Sequence, residues 1–545
     1  MSFLRVEVWR RALARLRGPA DLPRTADAFW VAAAALAVRV LVVLHAAGRF
    51  PPADDGTFYD VVAGRIAHGL GYTWAWPDGA VTYAAHYPVG YPALIGLGYA
   101  LFGAHPVVAM GLNALVGALG AAATHALAGR RASRRGALSA GLFVAFEPAL
   151  VLYTPALMTE AVAGELVMLA AAMATSARGN PLGRAIAAGI VTGIAMLVRP
   201  QLLLVAPGVG ALLAWREPSL RASGRGALAV TALGVGLCLP WTLRNCEKLD
   251  TCAFVSANGG WNLFIGTSPL GEGGWVPLEQ IGVPVECRDV FGEGEKDRCF
   301  GRAGVREISR APFAWLALAP KKLGVTFDYG SAAAHYLRAS NPTLVSDETK
   351  LWIGAAELFG QRILLIAATL GLALAAGPRA GLRRLLASVA ILAALAPFAW
   401  VAWVLLVVQG LLFGRELWVR PCVLLAVVLV ATTALTHAIF FGAGRYALVC
   451  LPALAALAPF GWVAWLCVLV QSLLFGRETW RLPSVVFALA LIATTALTHA
   501  VFFGAGRYAL VCLPALALLA ALGFPRVPGR VADAPAGERA GVARD

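Results

Sequence analysis

Apolar runs of about 17 to 25 residues, the length a helix needs to cross a hydrocarbon core, recur along the chain and alternate with short basic segments. They predict spans near 29–48, 107–128, 137–153, 160–177, 184–198, 201–215 and 227–243. The run at 88–103 is shorter and carries Pro88 and Pro92. If it crossed, the loop GRRASRRG at 129–136 would face outside, against the bias that keeps Lys and Arg on the cytoplasmic side, so it reads as a re-entrant or interfacial helix. The arginine-rich head, residues 1–28, is then cytoplasmic, and the loop 49–106 is extracytoplasmic. The head lacks a small-residue cleavage site, so the first span is expected to be retained.

After the membrane module 29–245 the pattern changes. Residues 246–355 are polar and rich in Gly, with turn signals NGG at 258–260 and GEGEK at 292–296. A stretch this long reads as an extracytoplasmic subdomain. It holds Cys246, Cys252, Cys287 and Cys299. An even number on the oxidising side favours disulfides; proximity suggests Cys246 with Cys252 and Cys287 with Cys299, although four cysteines allow three pairings. The spacing lacks a CxxC pair, which disfavours zinc.

The C-terminal membrane module, 356–524, contains a tandem repeat. Residues 394–455 recur 62 positions later as 456–517, both copies ending on ATTALTHA, FFGAGRYALVCLPALA. Each copy holds two apolar spans, an even number, so the insertion leaves the orientation of the downstream chain unchanged. The apolar stretch 386–413 is read as a tight hairpin in preference to one tilted helix. That places both Arg-Tyr pairs outside and the tail 525–545 inside.

Composition agrees with the pattern. The 545 residues are 59% hydrophobic and only 14% charged, with a mean hydropathy of +0.73. A soluble globule cannot hide that much apolar surface, and a disordered chain does not contain it. The formal charge of +15 collects in short loops, so it reports topology and no nucleic-acid partner is expected. The fold class is an all-α polytopic membrane protein of about 13–14 membrane helices with a small mixed extracytoplasmic subdomain.

With this topology Asp54, Asp55, Glu160, Arg199 and Arg244 gather at the outer surface. Each alone is most simply a solvated or snorkelling group; five on one side point to a cavity. The segments DDGTFYDVVAGRIAHGLGY (54–72), HYPVGYPALIGLGYALFG (86–103), LYTPALMTEAV (152–162), LVRP (197–200), LPWTLRN (239–245), VSANGGWNLFIG (255–266) and GAGRYALVCLP (442–452) follow in order. In that order they resemble the GT-C membrane glycosyltransferases, nearest to family 39, the bacterial relatives of dolichyl-phosphate-mannose protein mannosyltransferases and aminoarabinose transferases.

The resemblance implies a bacterial inner-membrane enzyme with a periplasm-facing site, a polyprenyl-phosphate-sugar donor, and a protein, lipid or glycan acceptor. It implies that Asp54 and Asp55 fill the family's Asp-Glu pair, with Asp in the second place. It sets Arg445 with Tyr446, or Arg507 with Tyr508, toward the carrier phosphate. A sugar phosphodiester leaves readily, so the chemistry needs a base for the acceptor hydroxyl and positive charge for the departing oxygens. Asp54, partly desolvated, is the expected base of an inverting transfer.

Arg244 and Arg445 or Arg507, with Arg199 behind them, are the expected phosphate ligands, because guanidinium stays charged and binds phosphate oxygens in pairs. Glu160 either orients the acceptor, holds Mg²⁺ or Mn²⁺ with Asp54, or only favours its helix N-terminus. Tyr59, His86, Asn258 and Trp261 are candidate substrate contacts, although a lone His beside a proline turn is more often structural. Trp74, Trp76, Tyr87, Tyr91 and Trp261 also suit an interfacial belt, with sugar stacking open to Trp74 or Trp261. The stretch 310–325 reads as an interfacial amphipathic piece with Lys321 and Lys322 near headgroup phosphate. A flippase of lipid-linked sugars is the main rival; it predicts ionisable groups at the bilayer midplane and inverted repeats.

Overall fold

The computed structural model describes residues 25–130, 132–328, 331–374, 380–395, 399–412 and 420–457. All of them lie in the first of two compact units, Met1–Leu473; the second, Leu474–Asp545, lies outside the described residues. The head up to residue 24, the second repeat copy from residue 458 onward (with Arg507 and Tyr508) and the tail also lie outside them.

The chain is an all-α polytopic membrane protein. Among the described residues seven helices are long and apolar enough to cross a bilayer: Ala26–Ala46, Pro106–Ala128, Arg134–Leu152, Pro181–Val198, Leu220–Lys248, Asp347–Leu372 and Pro421–Ile439. Local chemistry sets their starts. Ser133, Asn180 and Ser219 each accept a backbone N–H of the first turn, and Pro106, Pro181 and Pro421 stand where a helix has no use for an N–H. Small residues let neighbours approach closely. A Cβ on Gly189 would lie 2.7 Å from Leu233 Cβ, and one on Gly210 2.3 Å from the Gly226 carbonyl oxygen, so the helices on either side pack nearly backbone to backbone.

One charged pair is sealed into this bundle. Arg39 is 1% exposed; it donates to the carbonyls of Val144 and Ala145 at 3.1 Å and lies 3.7 Å from Glu165. Gly117 and Gly120 leave the space these two side chains fill, since a Cβ at either would collide with them. Arg39 thus caps the carbonyl end of the helix Arg134–Phe146.

Several boundaries differ from those the sequence suggests. The helix at 88–103 is Gly90–Phe102, about 20 Å long at 1.5 Å per residue and so shorter than a hydrocarbon core. The expected span 201–215 is broken into a 3-10 turn Pro200–Leu204, a helix Ala206–Ala211 and a second turn Leu212–Ala214; Pro200 and Pro207 cannot donate to a continuous ladder. The described residues of 386–413 belong to two helices, Ala380–Leu395 and Ala399–Leu412, packed on each other.

The two paired strands, Thr73–Ala75 and Val81–Tyr83, sit in the first loop, whereas the described residues of 246–355 form helices, turns and an isolated bridge from Gly274 to Gly442. The long helix Asp347–Leu374 begins before the expected boundary at 355.

Candidate active site

Acidic, basic and aromatic side chains from distant segments line one cavity of about 2200 Å³. Asp54 precedes the helix Asp55–Ala67 with φ 51°, a left-handed backbone that costs a non-glycine residue roughly 1–3 kcal/mol and gathers at functional sites. The turn aims the two neighbouring carboxylates differently. Asp54 is 49% exposed and its Oδ2 lies 3.3 Å from His335 Nε2. Asp55 is 23% exposed and engaged twice: its Oδ1 accepts from the Tyr87 hydroxyl at 2.7 Å and its Oδ2 from Arg445 Nη1 at 3.0 Å.

Glu160 is buried at the start of the helix Glu160–Ala174. Its Oε2 accepts from Tyr153 at 2.9 Å; its Oε1 accepts from Arg199 Nη1 at 2.9 Å and lies 3.2 Å from Arg445 Nε, an ion pair without hydrogen-bond alignment. Arg199 also donates to Thr159, and with its amide oxygen turned toward the guanidinium Gln201 accepts from Nε and Nη2 at 2.8 Å. Four of its five N–H donors are thus engaged, and Arg199 ties Glu160 to the cavity wall.

Arg445 is different. It bonds Asp55 and the Tyr336 hydroxyl through Nη1 and packs over the Tyr336 and Tyr446 rings. Its Nη2 takes no hydrogen bond among the described residues. Tyr446 in turn stacks on His437, with ring centroids 3.8 Å apart.

The other expected residues divide. Tyr59, His86, Asn258 and Trp261 line the cavity. His86 sits edge-on to Tyr87 and Trp261, and burial pushes its imidazole down to about 4, so it is neutral at physiological pH. Trp261 packs on Phe300, whereas Trp74 stacks on Phe58 at 5.1 Å and does not line the cavity. Arg244 does not reach the cavity lining either. Its guanidinium donates to the carbonyls of Ala84 and Tyr72 at 2.9 Å and stacks over Trp241, tying the hairpin to the helix Leu220–Lys248.

Lys322, expected near headgroups, is 1% exposed and donates to the carbonyls of Ala438 and Ile439 at the end of the helix Pro421–Ile439. Burial lowers its ammonium to about 8. The pairing of Asp54 with Glu160 around Mg²⁺ or Mn²⁺ does not fit: Glu160 is held by two guanidinium groups and Asp54 faces an imidazole. Among the described residues no three His, Cys, Asp or Glu side chains are grouped to hold a metal.

One wall of the cavity comes from 246–355. Cys246 is bonded to Cys252 and Cys287 to Cys299. Glu293 accepts the backbone N–H groups of Ala85 and His86 at 2.5 and 2.9 Å, latching this region onto the first loop; burial raises the Glu293 carboxyl above its usual range. Sequence reasoning missed His335 and Tyr336. They sit on the short helix Ala332–Ser340, and no spacing pattern ties a lone His-Tyr pair to a carboxylate 281 residues away.

A search of curated proteins finds no match to the chain. Among solved structures, the archaeal oligosaccharyltransferase AglB of Archaeoglobus fulgidus, in complex with an inhibitory peptide and a dolichol-phosphate, aligns at 13% identity over 90% of this chain and 56% of its own, TM-score 0.41. The apo form of the Archaeoglobus fulgidus enzyme gives 13% identity, 91% and 55% coverage and TM-score 0.42. The chain thus spans about half the length of these archaeal proteins. ArnT of Cupriavidus metallidurans, bound to undecaprenyl phosphate, aligns at 18% identity over 78% of this chain and 77% of its own, TM-score 0.34. Residues 86–243, the stretch that carries His86, Glu160 and Arg199, match the dolichyl-phosphate-mannose-protein mannosyltransferase family.

Proposed function

We propose that the chain is an integral membrane glycosyltransferase that moves a sugar from a polyprenyl-phosphate carrier to an acceptor hydroxyl on the extracytoplasmic side, with inversion. The observation that carries this reading is the convergence of Asp54, Asp55, Glu160, Arg199 and Arg445 on one cavity. The family match over residues 86–243 supports it. Asp54 is the base: it opens into the cavity, and its carboxylate oxygens are the least engaged of the three. The acceptor oxygen attacks the anomeric carbon, the carbon–phosphate oxygen bond breaks, and the phosphate leaves with the electron pair.

Arg445 meets the departing phosphate through its unspent Nη2. Asp55 and Glu160 hold that guanidinium in place from two sides, and Arg199 holds Glu160. A donor fixed before the charge develops stabilises the transition state more than one that must reorganise. Sealed burial argues against the flippase reading for one ionisable pair within the spans: Arg39 and Glu165 face each other 3.7 Å apart and do not line the cavity.

The test is transfer of label from radiolabelled polyprenyl-phosphate sugars in membranes containing the full chain. Asp54→Asn should lower the rate by about 10²- to 10⁴-fold. Transfer at the wild-type rate by this variant removes Asp54 as the base.

A further inference from the structure

Asp54 does not face the cavity alone. His335 Nε2 lies 3.3 Å from its Oδ2; the two side chains are 56% and 49% exposed, and both line the cavity. The geometry is fixed from both ends. Glu357 accepts the N–H groups of Ser331, Ala333 and Ala334 at the start of the helix that carries His335. At the far end of that helix Ser340 donates to the Pro51 carbonyl and Asn341 to the Arg49 carbonyl, so the helix is fastened to the segment that leads directly into Asp54.

We propose that His335 relieves Asp54 of the proton taken from the acceptor hydroxyl. This inference rests on the reading of Asp54 as the base. In the step, the acceptor proton passes to an Asp54 carboxylate oxygen as the acceptor oxygen bonds the anomeric carbon. It then moves from Oδ2 to Nε2, leaving a carboxylate beside an imidazolium, and water at the open side of the cavity removes it. Carboxylates in contact with water keep a proton only in the acid range, whereas an imidazole takes one near neutrality. A water-exposed carboxylate paired with an imidazole is therefore the better proton acceptor at neutral pH.

The charged and titratable groups around His335 are few. Tyr336 on its own helix stands edge-on at 5.1 Å; Asp55 and Arg445 lie beyond it, Arg445 being bonded to both Asp55 and Tyr336; Glu357 of the helix Asp347–Leu374 faces the N–H end of the helix. Among the described residues only Asp54 has a side chain within hydrogen-bond range of the imidazole.

The test compares the pH dependence of kcat/KM for wild type, His335→Gln and His335→Ala, using the full chain in membrane vesicles and whichever radiolabelled polyprenyl-phosphate hexose the wild type consumes. The wild type should rise toward alkaline pH along a limb that depends on His335. His335→Gln can still donate a hydrogen bond to Asp54 but cannot take up the proton. It should lose that limb and about 100-fold in kcat at pH 7, with the donor KM unchanged. Added imidazole should restore part of the rate to His335→Ala, a rescue that a merely structural histidine would not show.

His335→Gln with wild-type kcat and an unchanged pH limb, beside an inactive Asp54→Asn, overturns the proton relay alone. An active Asp54→Asn, or consumption of no donor by the wild type, overturns the transferase reading beneath it.

Discussion

Two arginines show how differently this chain uses buried charge. Arg39 is sealed within the helices, 1% exposed, and caps carbonyls while paired with Glu165. Arg445 stands in the cavity wall with its side chain 22% exposed, between Asp55 and Glu160, and keeps one donor group without a partner among the described residues. A charge within a bilayer is costly wherever it sits, so both must return that cost. Arg39 does so by satisfying backbone groups, and is scaffold. In the proposed transfer Arg445 keeps a reserve for an oxyanion, and is machinery. What separates them is whether an unspent polar atom opens onto space a ligand can enter.

The contrast can be broken at either end. The largest effect is expected at Arg39: Arg39→Met leaves Glu165 buried without its partner and should destabilise the fold by about 3–5 kcal/mol, seen as loss of monodisperse protein in detergent. A stable, active Arg39→Met would show that the sealed pair is not scaffold.

Next comes Arg445→Lys, which keeps the charge but loses the planar fork that reaches Asp55, Glu160 and a phosphate together. It should lower kcat/KM about 100-fold with little change in Tm. An equal fall for Arg244→Lys would contradict the placement of Arg244 as a tie for the hairpin.

The smallest effect concerns backbone strain. Asp54→Gly should leave stability within about 1 kcal/mol of wild type, because relief of the left-handed conformation offsets the extra freedom of glycine in the unfolded chain, while Asp54→Ala should be less stable by about 1 kcal/mol. Thermal unfolding in detergent reads this difference, and both variants should lack transfer.

Much of this was legible in the pattern of apolar positions. The helix class, the spans near 107–128 and 184–198, and the grouping of Asp54, Asp55, Glu160 and Arg199 all follow from runs of hydrophobic residues and the sign of the loops between them. Arg39 was not legible, because a single arginine inside an apolar run carries no signal of the carbonyls it will meet. Arg199 and Arg445 looked alike, as motif residues near the surface; only their partners distinguish a guanidinium engaged through all three nitrogens from one whose Nη2 has none among the described residues. Arg244 shared the same motif logic and faces backbone carbonyls. His335 was hidden for the opposite reason: its meaning lies wholly in a contact to a residue near the other end of the chain, and local spacing says nothing of that.

The most direct measurement is an experimental structure of the full chain in a lipid environment with polyprenyl phosphate added. The phosphate is expected in the cavity within hydrogen-bond distance of Arg445, with the Asp54 carboxylate on the side from which an acceptor would approach. A phosphate bound away from Arg445, with that guanidinium still held only by Asp55, Glu160 and Tyr336, would contradict the role given to it and the transfer built on it.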